Sequence, residues 1–209
     1  MVARTLKQER AERTRATLVR AGAEVFAKCG FAGASVTRIA EQAGLTLGAM
    51  YFHFKSKEDL AREIVMSQPD MVVPPVSAQG LQRVIDVTLT WAYQLREDPL
   101  LQAGARLVMD QESFLESNVN SHRQWMGILV ADLKDARRRR ELRAGVDVDR
   151  YARLIVSACT GAQMHAQMES SRRDLPQRIE EMWECLLPAI AVPSAAKKMQ
   201  FGEERGKAQ

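Results

Sequence analysis

Residues 35–60 read SVTRIAEQAGLTLGAMYFHFKSKEDL. Ser35 stands where a helix N-cap belongs, and Val36, Ile39, Ala40 and Ala43 follow at the three- and four-residue spacing of one buried face. Gly44 ends that short helix. Thr46 caps the next one only a few residues later. Two short helices joined by a tight glycine turn are the helix-turn-helix pattern. In the second helix Met50 and Phe54 fall on one side, suited to packing on a preceding helix. Leu47, Gly48, Tyr51 and Phe52 fall on the other, left for solvent or a partner. Ser56 then caps a further helix whose first turn carries Glu58 and Asp59, where negative charge suits the helix dipole.

Upstream, Leu18, Ala21, Gly22, Val25, Phe26 and Cys29 make an apolar stripe. It predicts a helix over 11–28, closed by Gly30 in the left-handed conformation. Residues 1–57 hold ten Lys/Arg against four acids, a net +6, while the whole chain of 209 residues is +4, so the remainder carries −2. A basic N-terminal module on a mildly acidic body points to a polyanion that meets only the first part. The Tyr51 hydroxyl and His53 are placed to donate to phosphate. Lys57 starts its helix where backbone N–H groups and an ammonium can share one phosphate.

The rest of the chain excludes several classes. It is 46% hydrophobic with only 6% aromatics, and its 12 Gly and 7 Pro are few, a composition that favours helices with an aliphatic core. No stretch reaches the roughly 18 apolar residues of a membrane span. The charged N-terminus lacks a signal-peptide core. Three scattered cysteines make no metal-ligand spacing and read as buried thiols of a reduced cytoplasm, and the three histidines are scattered too, so no metal and no cofactor are expected. No nucleophile elbow, paired histidine or glycine-rich phosphate loop appears, and no catalytic residue is assigned.

The quoted segment resembles the DNA-binding segment of the TetR family of transcriptional repressors. The likeness runs over about residues 10–60, in the glycine turn, the Tyr-x-His-Phe run and Ser-Lys-Glu-x-Leu. Within that family it looks most like receptors for γ-butyrolactone-type signalling molecules of actinomycetes. HRQWMGILVADL (122–133) and DVDRYARLIVSACTG (147–161) extend that resemblance more weakly. It implies a homodimer on a palindromic double-stranded DNA operator, released by a small signalling ligand, with no membrane role. The DNA-facing set it implies is Ser35, Thr37, Arg38, Thr46, Leu47, Gly48, Ala49, Tyr51, Phe52, His53 and Lys57. One departure is Leu47, where relatives often carry Lys. Leu cannot hydrogen-bond phosphate or guanine, but it can touch a thymine methyl.

Periodicity predicts an all-α body: helices over 78–97, from Pro99 through Val108, over 118–136, from Asp147, and from Leu175 to Leu187, with a loop at 70–80. Four arginines (Arg137–Arg140) read as a solvated helix end. Leu154, Ile155, Ala158, Cys159 and Ala162 are expected inward. Leu175, Ile179, Met182 and Leu186, widened by Trp183 and Leu187, are expected to make the dimer. An apolar pocket with a few polar groups is expected around Trp125, Thr160, Gln163, Thr88, Trp91, Gln94, Leu107, Met109 and Leu129. Trp125 leads because the resembling receptors place this tryptophan against the ligand. The organisation expected is a DNA-binding domain over 1–57, a ligand-binding and dimerisation domain over 58–192, and a mobile tail over 193–209. Two other readings stand beside this one: a TetR-type repressor that answers another ligand such as an antibiotic, and a constitutive DNA-binding protein with no ligand.

Overall fold

Gly30, with φ 71° and ψ −177°, interrupts the first helix α1 (Val2–Gly33), a backbone conformation that side-chain-bearing residues avoid. A Cβ there would stand 3.2 Å from the Arg106 guanidinium. The computed structural model describes residues 2–115 and 120–207, and these are almost wholly helical. α1 starts well before the apolar stripe, because Lys, Gln, Glu and Arg sustain helix without burial. Arg4 and Lys7 of the basic run have side chains outside the described residues. After α1 come α2 (Val36–Gln42), α3 (Leu47–His53) and α4 (Lys57–Met71). Then follow α5 (Gly80–Gln94), α6 (Pro99–Leu107) with a 3-10 turn (Val108–Ser113), and α7 (Ser121–Arg138). The first residues of the helix expected over 118–136, 118 and 119, lie outside the described residues. α8 (Val148–Ser170), α9 (Leu175–Ile190), α10 (Pro193–Ala196) and α11 (Glu203–Gly206) complete the chain.

The chain divides into two compact units. The first comprises Met1–Gln68 and Asp98–Ser121, so it takes in most of α4 together with α6, well beyond residue 57. Its core gathers Leu18, Phe26, Ile39, Met50, Phe54, Leu60 and Ile64 with Ala103, Leu107 and Phe114. Gly22 lets α4 approach α1: a Cβ there would stand 2.6 Å from Leu60. The division falls within α4 at Pro69, which has no N–H to return to the preceding turn.

The second unit comprises Pro69–Glu97 and His122–Gln209. In it α5 packs on α9 and α11, and α8 packs on α9. Carboxylates hold the start of α5: Asp135 accepts from the Gly80 N–H at 2.9 Å and Glu141 from the Leu81 N–H at 2.8 Å. They satisfy donors that a helix N-terminus leaves open. The arginine run is exposed as expected, with Arg138 and Arg139 both bonded to Asp135.

The segment after residue 192 is docked rather than loose. Arg205 pairs with the fully buried Asp86 of α5, and Gln82 exchanges two hydrogen bonds with the Gln200 backbone. A Cβ on Gly206 would overlap the Tyr93 ring, so the backbone lies directly on α5. Expecting a mobile tail missed this because the segment has few apolar residues. A buried ion pair and one bare glycine do the docking instead.

Candidate nucleic-acid interface and interior polar groups

The caps read from the sequence are in place. Ser35 Oγ accepts from the Arg38 N–H at 3.2 Å, Thr46 Oγ1 from the Ala49 N–H at 3.1 Å, and Ser56 Oγ from the Asp59 N–H at 3.1 Å. Between α2 and α3 the Leu45 N–H reaches the Ala40 carbonyl at 2.9 Å and the Gly44 N–H reaches Glu41 at 3.0 Å. That pair of bonds closes a helix with the C′ residue left-handed, and Gly44 has φ 65°.

Met50 is fully buried and Phe54 nearly so, which fixes α3 on the core. The opposite face is open. Leu47 is 42% exposed, Tyr51 50% and Phe52 79%. Thr37, Arg38, Thr46 and Gly48 are exposed with them, while Ala49 and His53 are half-buried. The His53 ring stands edge-on to Phe52 at 5.1 Å. An exposed phenylalanine beside an exposed tyrosine on a short helix marks a surface built to meet something.

Two features escaped the sequence. Lys57 Nζ donates to the carbonyls of Phe31 at 2.8 Å and Ala34 at 3.0 Å, and lies 4.2 Å from the centre of the Phe31 ring. The expected phosphate clamp is therefore first a clasp between α4 and the α1–α2 connection, with one N–H of the three left over. Arg15 of α1 makes a two-pronged ion pair with Glu63 of α4 and sits 4.8 Å over the Phe54 ring at the end of α3. Partners 48 residues apart leave no local signature.

The expected ligand residues separate. Leu107 is fully buried in the first unit's core, so it is not free to be a wall, and Met109 of the same unit is exposed. The others belong to the second unit. Thr88 is engaged: its hydroxyl donates to the Ile85 carbonyl at 2.8 Å and accepts from Trp183 Nε1 at 2.8 Å. Gln163 is buried, and its Oε1 accepts from Arg172 at 3.2 Å. Thr160 donates to the Val156 carbonyl at 2.9 Å and lies 3.2 Å from His122 Nε2. With its single proton on Val156, the Thr160 oxygen accepts from an Nε2–H of the His122 ring. Burial holds the His122 pKa below its ordinary value. Trp91 and Trp125 are half-buried and Leu129 is buried. Thr90 Oγ1, not singled out in the sequence, and Gln94 Oε1 are buried with no hydrogen-bond partner among the described residues.

The expected dimer stripe also changes. Leu175, Ile179, Trp183 and Leu187 are buried within the chain itself, while Leu154, expected inward, is exposed. With Met164 and Met168 it forms an apolar run along the outside of α8. Among the described residues no group of acids, cysteines and histidines could hold a metal, and no helix is long and apolar enough to cross a membrane.

Comparison with known proteins agrees with this geometry. Residues 18–64 match the bacterial regulatory proteins of the tetR family, and residues 78–193 match the tetracyclin repressor-like C-terminal domain. The A-factor receptor protein of Streptomyces griseus is 33% identical over 187 residues, 90% of this chain and 67% of that one. Full-length native Tylp, a TetR regulator from Streptomyces fradiae, superposes with a TM-score of 0.84 at 36% identity, over 93% of this chain and 94% of that one. A γ-butyrolactone receptor described as ArpA-like superposes with a TM-score of 0.69 at 28% identity, over 90% and 92%. A glycine-turned helix pair with an open aromatic face, carried on a helical body of this likeness, makes the chain a member of the TetR family of transcriptional repressors.

Proposed function

We propose that this repressor binds a palindromic operator as a homodimer and leaves it when a small diffusible signalling molecule of the γ-butyrolactone, butenolide or furan type binds the second unit. The observation that carries the DNA half is the exposed face of α3, with Leu47, Gly48, Tyr51 and Phe52 outward while Met50 and Phe54 are locked inward. Tyr51, His53 and the remaining N–H of Lys57 serve phosphate, and Leu47 reads a thymine methyl. Ser35, Thr37, Arg38 and Thr46 flank that face.

Dimerisation through α8 and α9 uses the exposed run Leu154, Met164 and Met168, joined by the half-buried Met182 and Leu186. Two half-sites at fixed spacing then engage two α3 helices, and a shift of a few ångströms between those helices abolishes the avidity. α4 is the natural relay, since the chain passes from one unit to the other within it. Trp125, Trp91 and Thr160 supply apolar walls and a polar edge for the ligand. The likeness to a γ-butyrolactone receptor along nine-tenths of the chain supports that ligand class.

Selection from random DNA duplexes supplies the operator, and fluorescence anisotropy then follows its release by alkyl-γ-butyrolactones, butenolides and furans. A two-fold symmetric site, release by one of these classes, and a Trp125→Ala protein that keeps DNA but no longer releases it are the expected results. Trp125 emission is read in a Trp91→Phe background, with Trp183 retained because it is buried and bonded to Thr88. If Trp125→Ala releases DNA at the wild-type ligand concentration, the ligand does not sit against Trp125.

A further inference from the structure

Four threonines in helices of this chain, Thr14, Thr17, Thr88 and Thr160, give their hydroxyls to a carbonyl three or four residues back. Thr90 does not. It is 1% exposed, it sits in the middle of α5, and its Oγ1 has no partner among the described residues. One turn on, the Gln94 Oε1 is also buried and also without a partner. Residues four apart on a helix lie one above the other, so the two orphaned oxygens share one face. At 3.6 residues per turn Thr90 and Gln94 lie about 160° and about 120° round α5 from Thr88, which is engaged with α9. Val87 and Trp91 fall on the same side as Thr90 and Gln94, within about 100° of arc. The face thus combines an aliphatic residue, an indole and two unsatisfied oxygens, the make-up of a small-molecule site.

A buried polar group without a partner destabilises the fold that holds it, and such groups are rare enough in native proteins to need a cause. We infer that Thr90 and Gln94 are the hydrogen-bonding end of an internal site on α5 whose ligand is an apolar small molecule bearing a hydroxyl or other donor. The side-chain oxygen of an amide can only accept, so Gln94 Oε1 demands a donor from the ligand. The Thr90 hydroxyl can then accept from the ligand or donate to it. This rests on the second unit being a ligand-binding unit, and it adds the chemistry that selects the ligand. A molecule of the same shape without the hydroxyl leaves both oxygens unsatisfied and is rejected.

The test uses the full chain and two matched pairs of probes. One pair is α-(1-hydroxyhexyl)-γ-butyrolactone and α-hexyl-γ-butyrolactone, and the other is 4-hexylphenol and hexylbenzene. Titration calorimetry of the wild type is expected to favour the hydroxylated member of the pair that binds by roughly 10- to 100-fold. In Thr90→Val with Gln94→Leu the members of that pair converge to within about threefold, chiefly because the deoxy compound gains. Preference within the phenol pair while neither lactone binds would remove the lactone reading and leave this one standing. A preference that persists in the double variant overturns the assignment, and so does failure of both hydroxylated probes to bind. A second measurement needs no ligand: Thr90→Val and Gln94→Leu each melt at or above the wild-type temperature, because each removes an unsatisfied polar atom. A fall in both melting temperatures would show that the oxygens are already satisfied inside the protein, and would also overturn it.

Discussion

The Lys57 ammonium donates to the Phe31 carbonyl at 2.8 Å while standing 4.2 Å from the centre of the same residue's ring. One side chain thereby fixes the start of α4 to the end of α1, next to the carbonyl of Ala34 that precedes α2. On the proposed mode of DNA binding, a lysine at this place would act on affinity twice, through its charge and through the position of α2 and α3.

Lys57→Ala is therefore expected to weaken binding to all duplexes about equally and also to lower the melting temperature of the first unit. Its two carbonyl bonds contribute about 1–2 kcal/mol after allowance for partial exposure. Affinity of the wild type should fall steeply with salt, since Lys and Arg contacts release counterions. Anisotropy titrations over a salt series, paired with calorimetric melting, measure both effects. Unchanged melting would mean that the clasp contributes nothing to the fold. Substitution of Leu47, by contrast, should change which sequence is preferred.

Exposure separates two apolar sets on α8 and α9. Leu154→Glu combined with Met168→Glu places charge on the outside of α8 and should yield a monomer of unchanged helicity. Ile179→Glu puts a charge at a fully buried position, so the second unit should unfold instead. Sedimentation and circular dichroism distinguish the two. A dimeric double variant would place the interface away from α8.

The Arg205–Asp86 pair makes the last residues part of the second unit. Asp86 is fully buried, and Gln82 also donates to it at 2.8 Å. Arg205→Ala leaves a buried carboxylate without its cation and should cost about 3–5 kcal/mol. The cost should be smaller in an Asp86→Asn background, because no charge is then stranded. Urea unfolding followed through the second unit measures both. Equal losses in the two backgrounds would show that the segment docks by packing alone.

His122 gives the second unit a pH dependence. Burial lowers its pKa from the ordinary 6.5. Between that lowered value and 6.5 the unfolded chain binds the proton more readily than the folded one, so stability is full above 6.5 and falls as the pH drops through the window. Melting temperatures from pH 8 to pH 5 should show that decline, and His122→Gln should flatten it. An identical slope in the variant would assign the effect to another group.

What the sequence determined by itself is the set of features whose partners lie within a few residues. Ser35, Thr46, Ser56 and Asp147 cap their helices, Gly30 and Gly44 take positive φ, and α3 divides into an inner and an outer face. Each of these is a contact inside one turn or one helix period, so spacing is enough to reveal it. Tertiary structure alone decided which chain segment covers each apolar stripe. Periodicity marks Ile179 and Leu154 equally as apolar, but only packing puts the first in the core and the second on the surface. The same holds for the burial of Leu107 in the first unit, the clasp of Lys57, the pairing of Arg15 with Glu63 and the docking of Arg205 on Asp86. These join residues from 23 to 119 positions apart, a separation at which no local preference of the backbone carries information about the partner.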